Sequence, residues 1–159
     1  MADRYVELAL PKRNLVARAR LLDQEAPQTC QLLWERLPIA AETIHAQFSG
    51  CKLYVLFPWD GTPVPRENFT VCTDAGDLFF VWSGWSGPAG AGTVEVAVFY
   101  DRDAVPMGAN APHPGVLFAT VVDNLSGFAE AGEAIWREGS ETLIISRSGE
   151  SESDTGRPA

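Results

Sequence analysis

The sequence predicts a mostly β protein in which about eight strands close into a barrel capped by two α-helices. Most apolar residues fall in short runs that alternate with polar residues, which is the spacing of half-buried strands. Only two segments have helical spacing, and they separate groups of strands instead of following every strand, which argues against a doubly wound sheet. Closure into a barrel would also leave no exposed sheet edge.

The composition predicts one domain and excludes some partners. The chain has 159 residues, of which 46% are hydrophobic and 21% are charged, so residues 1–147 are expected to form a single domain. Residues 148–159 contain no apolar side chain larger than alanine or proline, and we expect a disordered acidic tail there. The net charge of −9 disfavours nucleic acids and anionic membranes as partners.

The expected location is the cytoplasm. The first residues lack the apolar stretch of a secretory signal, and no run approaches the roughly 20 apolar residues that a membrane span needs. Three cysteines, Cys30, Cys51 and Cys72, form no C-x-x-C pair and leave one thiol over in any disulfide scheme. They are therefore interpreted as buried, inert thiols in a reducing compartment.

The first third of the chain is expected to form a hairpin followed by a helix. Strands over residues 4–10 and 15–22 flank a segment of turn composition, and each strand has apolar side chains on one side only. Pro27 suits the first turn of a helix. An apolar stripe at helical spacing follows before Pro38 ends the helix, and it consists of Cys30, Leu33, Trp34 and Leu37.

A second hairpin is predicted over residues 42–57, with Ser49-Gly50 as a two-residue turn. In that register Phe48 pairs with Cys51, so that Ile44 and Ala46 share an apolar face with Val55 and Leu53. The opposite face would place His45 beside Tyr54, next to Lys52 and Leu56, and this face is where a surface groove could display chemistry.

The rest of the chain alternates strands with long loops. Further strands are expected at residues 77–82, 93–100, 116–122 and 142–147. Loops rich in proline and glycine are expected at residues 58–68, 83–92 and 101–115. A second amphipathic helix should begin after Asn124 and end near Gly139. Loops of this length in a small domain are usually functional or disordered.

Two passages resemble cyclophilins. Residues 21–30, continuing to Leu33-Trp34, resemble the entry of the second cyclophilin strand into the first helix, and residues 119–125 resemble the entry into the second helix. The whole of residues 4–147 resembles a bacterial and archaeal family of uncharacterised cyclophilin-like proteins. The shared segments are Ala26-Pro27, Thr29-Cys30, Leu37-Pro38, Ile44-His45-Ala46, Ser49-Gly50, Asn68-Phe69-Thr70 and Gly76-Asp77. The resemblance implies a closed barrel with two helices and no established reaction.

Prolyl isomerase activity is disfavoured by one departure from cyclophilins. Cyclophilins that isomerise prolyl peptides resemble one another in a strand containing His-Arg, whereas this chain has Ile44-His45-Ala46 and no arginine between Arg36 and Arg66. The missing cation would remove the main electrostatic contribution to such a reaction.

The leading hypothesis is a module that binds a small molecule or short peptide in a surface groove. Its candidate ligand-binding residues are His45, Tyr54, Trp59, Trp82, Trp85 and His113. The tryptophans could instead close the barrel as satellite core. An alternative function is an enzyme acting on a small amide or cyclic metabolite, with His45 as acid/base. The favoured interpretation of His45 itself is a hydrogen-bonded structural residue beneath the first helix or at a subunit contact.

No metal or other cofactor is expected. The two histidines, His45 and His113, lack the spacing of a metal site, and no phosphate-binding lysine accompanies the glycine-rich loop at residues 83–92. A homo-oligomer is expected.

Overall fold

Eight antiparallel strands close into a barrel in the computed structural model, which describes residues 2–86, 92–108 and 110–149. The strands are β1 (Tyr5–Leu10), β2 (Leu15–Leu21), β3 (Ile39–His45), β4 (Lys52–Pro58), β5 (Phe69–Thr70), β6 (Asp77–Trp82), β7 (Thr93–Phe99), β8 (Gly115–Asp123) and β9 (Thr142–Arg147). Their order around the barrel is β2-β1-β9-β3-β4-β7-β6-β8, and a β2–β8 pairing closes the ring. The short β5 is an addition to β8 that the sequence did not predict.

Two helices, α1 (Pro27–Trp34) and α2 (Leu125–Glu138), cap opposite ends of the barrel. α1 follows the end of β2 and α2 follows the end of β8, and these two strands are antiparallel neighbours. α1 contributes Cys30 and Leu33 to the core, and α2 contributes Phe128 and Ile135. The predicted fold class, a mostly β closed barrel with two helices, is confirmed.

The first hairpin has the predicted alternation. β1 and β2 pair from Tyr5 with Arg20 to Leu10 with Leu15. The inward side chains are fully or almost fully buried, and they are Val6, Leu8, Leu10, Ala17, Ala19 and Leu21. Asn14 ends the turn in the left-handed region at φ 48°, a conformation that asparagine tolerates better than most residues.

The predicted register of the second hairpin is wrong by one residue. The observed pairs are Thr43 with Val55, Ile44 with Tyr54 and His45 with Leu53. The outward side chains of β4 are as predicted, but on β3 the two faces are exchanged. His45 therefore lies on the same face as Leu53, and Ile44 is exposed on the outside beside Tyr54.

A tertiary contact causes this difference. Ser49 and Gly50 do not form a two-residue turn, because residues 46–51 make a wider loop that is anchored to residues 101–108. The Ser49 carbonyl accepts from the Val105 N–H at 3.1 Å, and its hydroxyl accepts from the Met107 N–H at 3.1 Å. Gly50 has φ +77°, and a Cβ there would lie 2.8 Å from the Asp103 carbonyl oxygen.

The three cysteines are free but differ in environment. Cys30 is buried, Cys51 is half-buried, and Cys72 is exposed just after β5. The prediction of three buried thiols is therefore confirmed for Cys30, holds only in part for Cys51 and is wrong for Cys72. Most of the predicted tail, residues 150–159, lies outside the described residues. In the part of the chain that the structure describes, no helix is long and apolar enough to span a membrane.

Candidate functional site

The six candidate residues from the sequence lie in three separate regions instead of one groove. The tryptophans are at the α1 end of the barrel, His45 is at the α2 end, and Tyr54 and His113 are on the outer surface. The register of β3 and β4 explains the separation of His45 from Tyr54. Ile44 pairs with Tyr54, so the next residue along β3, His45, points to the opposite face of the sheet.

The three tryptophans lie at the α1 end in two groups of edge-to-face rings, Trp59 with Phe57 and Phe80, and Trp82 with Trp85. Trp59 is only 6% exposed, and its indole N–H donates to the Thr62 carbonyl at 2.6 Å. The Trp85 indole N–H donates to the Val64 carbonyl at 2.8 Å, and its ring meets that of Trp82 edge to face at 6.4 Å between centroids. These contacts match the satellite-core interpretation of the sequence.

His45 belongs to a polar chain beneath α2, not α1. Its Nδ1 lies 2.9 Å from the Ala46 carbonyl oxygen and its Nε2 lies 2.6 Å from the Tyr100 hydroxyl. Because the carbonyl can only accept, Nδ1 carries the proton and Nε2 accepts from Tyr100. Burial raises the pKa of Tyr100, which keeps the hydroxyl in its donating form. The Trp136 ring lies over the His45 imidazole, with 4.7 Å between the ring centroids.

A partly buried ion pair, Lys52–Glu95, lies on the outside of the barrel wall, where β4 and β7 run side by side. Lys52 is 7% exposed, and its Nζ lies 2.5 Å from Glu95 Oε1. The same ammonium lies 4.7 Å from the centroid of the Tyr54 ring. Burial, and secondarily the Glu95 carboxylate, raise the pKa of Tyr54.

A loop over residues 101–108, the covering loop, lies on this outer surface. Its Ala104 packs against a small apolar cluster formed by Phe79, Ala97 and Phe99, outside the main core. The Ala104 carbonyl accepts from the Thr73 hydroxyl at 2.9 Å. The chain then returns through His113, whose N–H donates to the Pro106 carbonyl at 2.9 Å.

A cavity of about 350 Å³ opens beside the ion pair, and we call it the outer groove. It is lined by Leu56, Val81, Ser83, Ser86, Thr93, Glu95 and His113. Leu56 and Val81 supply apolar walls, Glu95 a carboxylate, and His113 an imidazole. His113 is thus the one sequence-predicted residue that lines this groove, while Tyr54 lies on the same face of β4 as Leu56.

The sequence predicts Lys52 on the outer face of β4 but does not predict its ion pair with Glu95. The sequence does contain a signal for this ion pair, since each of the two strands has a single charged residue, Lys52 in β4 and Glu95 in β7. The opposite signs of the two charges could have predicted that these strands are neighbours.

A larger cleft of about 700 Å³ lies between the start of β1 and α1, but its principal charges neutralise one another. Arg4 is bonded to Asp23 at 2.5 Å and to Gln31 at 3.0 Å. Arg20 lies 3.9 Å from Asp3. Among the described residues, no group of three or more His, Cys, Asp or Glu side chains could hold a metal ion.

The fold and this surface define an antiparallel barrel with two capping helices and a solvent-facing groove. Residues 8–147 match the model of the family described as protein of unknown function DUF3830, and the chain belongs to that family. No curated protein matches the sequence.

Two solved structures share the fold. The structure of McbB in complex with tryptophan has a TM-score of 0.63 and 22% identity, over 96% of this chain and 48% of that one. The chain therefore spans about half the length of McbB. The hypothetical protein AF2241 from Archaeoglobus fulgidus has a TM-score of 0.52 and 14% identity, over 92% of this chain and 95% of that one.

Proposed function

We propose that this protein binds a small molecule or a short peptide in the outer groove. The observation that carries the proposal is the Lys52–Glu95 pair on the outside of the barrel, in which Lys52 is buried and Glu95 is half-buried. Removing two charges from water costs free energy, and a protein with apolar residues of similar volume in place of such an ion pair is often at least as stable. The presence of an ion pair at this position therefore supports a role in binding a ligand more than a role in stabilising the fold.

The size and composition of the outer groove support the same proposal. Its volume of about 350 Å³ falls within the range of small-molecule sites, about 300–1,000 Å³. Apolar walls with a few polar groups are the usual composition of such sites. McbB, which shares the fold, was solved with tryptophan, and this supports a ligand of amino-acid size.

The proposal extends to the class of barrel, its location and its assembly. The closed eight-stranded barrel with a helix at each end supports a cyclophilin-like protein. Three free thiols support a reducing compartment, and we propose the cytoplasm. Phe48 is 71% exposed and Trp136 is 58% exposed, and large exposed apolar side chains of this kind support a homo-oligomer.

The catalytic alternatives have less support from the geometry. Both ring nitrogens of His45 are already hydrogen-bonded, so a role as acid/base would require it to leave Tyr100 or Ala46. Lys52 does supply a cation on the outer face, but Glu95 is its partner, so this ammonium is not free to stabilise charge in prolyl isomerisation.

A ligand screen with a blocked groove tests the proposed function. We would measure the thermal shift of the protein with a panel of amines, amino acids, carboxylates and short peptides. Leu56→Trp should fill the outer groove and abolish any stabilisation by a ligand. Val122→Trp is the matched control, since Val122 is also exposed on a strand but does not line the groove.

Two outcomes would contradict the proposal. The first is that no compound in the panel stabilises the wild-type protein. The second is that a stabilising compound acts equally on Leu56→Trp and on the control, which would place the site elsewhere.

A further inference from the structure

The Lys52–Glu95 pair is oriented, with its negative end toward the outer groove. Glu95 lines the groove, whereas Lys52 is not among the lining residues. The Lys52 ammonium is held between Glu95 and the Tyr54 ring, and the Phe99 ring lies 5.9 Å away. The side chains of Lys52 and Glu95 are 9% and 19% exposed, so the carboxylate is the more accessible end.

The groove offers no positive counterpart to this carboxylate. The described residues of its lining include no lysine or arginine, and His113 is the second ionisable side chain among them. Among the described residues, Lys52 is the only charged partner of Glu95. An anionic ligand would therefore meet a carboxylate at close range without a compensating lysine or arginine, whereas an ammonium group could make a charge-assisted hydrogen bond to it.

The apolar walls complete the specificity. Leu56 and Val81 flank Glu95 on the neighbouring strands, since Glu95 pairs with Leu56 on one side and with Val81 on the other. A ligand with an apolar body and a cationic end can contact these walls while its cation reaches the carboxylate. The net charge of −9 adds a long-range attraction for the same class of ligand.

From these observations we infer that the outer groove selects amphiphilic amines, meaning ligands with a protonated amine attached to an apolar body. The inference rests on the proposed function and adds the charge and shape of the ligand. A hydrogen bond to a charged group is worth enough to change affinity about tenfold to a hundredfold.

The test compares ligands of matched shape and opposite charge on the wild-type protein. Tryptamine and indole-3-propionate share an indole ring and a short chain but end in an ammonium and a carboxylate, respectively. Isothermal titration at neutral pH should show tryptamine binding at least about tenfold more tightly. Raising the salt concentration should weaken tryptamine binding, because screening reduces the long-range attraction.

A pair of variants locates the selectivity. Glu95→Gln keeps the shape of the side chain and should reduce tryptamine affinity about tenfold or more. Glu42→Gln makes the same charge change at an exposed position of β3 outside the groove, and it should leave the affinity unchanged. Circular dichroism establishes that both variants are folded. If Glu95→Gln does not fold, the comparison of the two ligands on the wild-type protein still decides.

The outcomes separate this inference from the proposed function. If indole-3-propionate binds as tightly as tryptamine and Leu56→Trp blocks both, amine selection is wrong while the groove remains a binding site. If neither compound binds but other panel members are blocked by Leu56→Trp, amphiphilic amines of this size are again excluded and the proposed function stands. If Leu56→Trp blocks no ligand, both proposals are wrong.

Discussion

The inner and outer faces of β4 have different compositions. The side chains that face the core are Leu53, Val55 and Phe57, all apolar and buried. The outer side chains are Lys52, Tyr54 and Leu56, which combine a buried charge, a phenol and an exposed aliphatic group. The inner face excludes water at little electrostatic cost, whereas the outer face keeps an ion pair that is largely removed from water. The core of the barrel thus lies inside the wall, and the charged and polar side chains of the proposed site lie outside it.

The largest expected effect on stability comes from a residue that faces the core from the neighbouring part of the barrel wall, Phe80 on β6. Phe80 is fully buried, with ring centroids 5.5 Å from Trp59 and 6.1 Å from Phe118. Phe80→Ala should lower the free energy of unfolding by about 3–5 kcal/mol, because it leaves a cavity in the core. The measurement is urea denaturation followed by circular dichroism. Leu56→Ala on the outer face is the control, and an equal loss there would abolish the distinction between the faces.

The next effect concerns the outer ion pair. Lys52→Met should lower the free energy of unfolding by about 2–4 kcal/mol, because it leaves the Glu95 carboxylate poorly solvated and without its partner. Replacing both residues, as in Lys52→Met with Glu95→Leu, should recover most of that loss. Urea denaturation of the two variants measures the difference. A double variant that is less stable than Lys52→Met would show that the pair itself stabilises the fold.

Much of the fold was predictable because local patterns agree with the tertiary structure. Alternation in β1 and β2, the proline at the start of α1 and the apolar stripe of α2 all match the observed elements. The register of β3 and β4 was not predictable from these patterns. It depends on the contact of Ser49 and Gly50 with residues about 55 positions away, which no local rule contains.

The candidate site was less predictable than the fold. The predicted pairing of His45 with Tyr54 depended on the register and is wrong for that reason. The tryptophans lie in or beside long loops, which fits a ligand site, but the same feature fits residues that close a barrel. The role of Glu95 is not predictable from the sequence, because an isolated charge in a strand usually faces solvent, and only the tertiary structure brings the Lys52 ammonium to its carboxylate.

Thiol chemistry tests the same contrast with smaller effects. Burial raises the pKa of the Cys30 thiol to about 12, whereas Cys72 is exposed. With a thiol-specific disulfide reagent at pH 8, Cys72 should react first, Cys51 more slowly, and Cys30 only after denaturation. Cys72→Ser should remove the fast phase. A fast phase that survives in this variant would contradict the assigned environments.

The raised pKa of Cys30 also has a consequence for stability at high pH. The fold favours the neutral thiol, so its contribution is complete below the ordinary pKa of 9.0 and is lost as the pH rises toward about 12. Cys30→Ala should therefore show a weaker decline in stability over this interval than the wild-type protein. Thermal unfolding at several pH values between 8 and about 10.5 measures the difference.

The smallest expected effect is at Asp60, whose ion pair with Arg36 is more exposed than the Lys52–Glu95 pair. Asp60 accepts from the Thr62 hydroxyl at 2.5 Å, from the Thr62 N–H at 3.0 Å and from Arg36 at 2.9 Å. The Thr62 hydrogen bonds, and then Arg36, lower the pKa of Asp60 from 3.8 to about 2. Its contribution to stability is therefore complete above the ordinary pKa and is lost as the pH falls through about 2.

Comparing Asp60→Asn with the wild-type protein measures this contribution. The difference in melting temperature should be present at pH 6 and should shrink at pH 3, where the unfolded carboxyl is largely protonated. Because water screens exposed charges, Asp60→Asn should destabilise the protein much less than Lys52→Met does. A difference as large as that of Lys52→Met would mean that burial does not set the strength of ion pairs in this protein. It would also remove the main reason for assigning a special role to the outer pair.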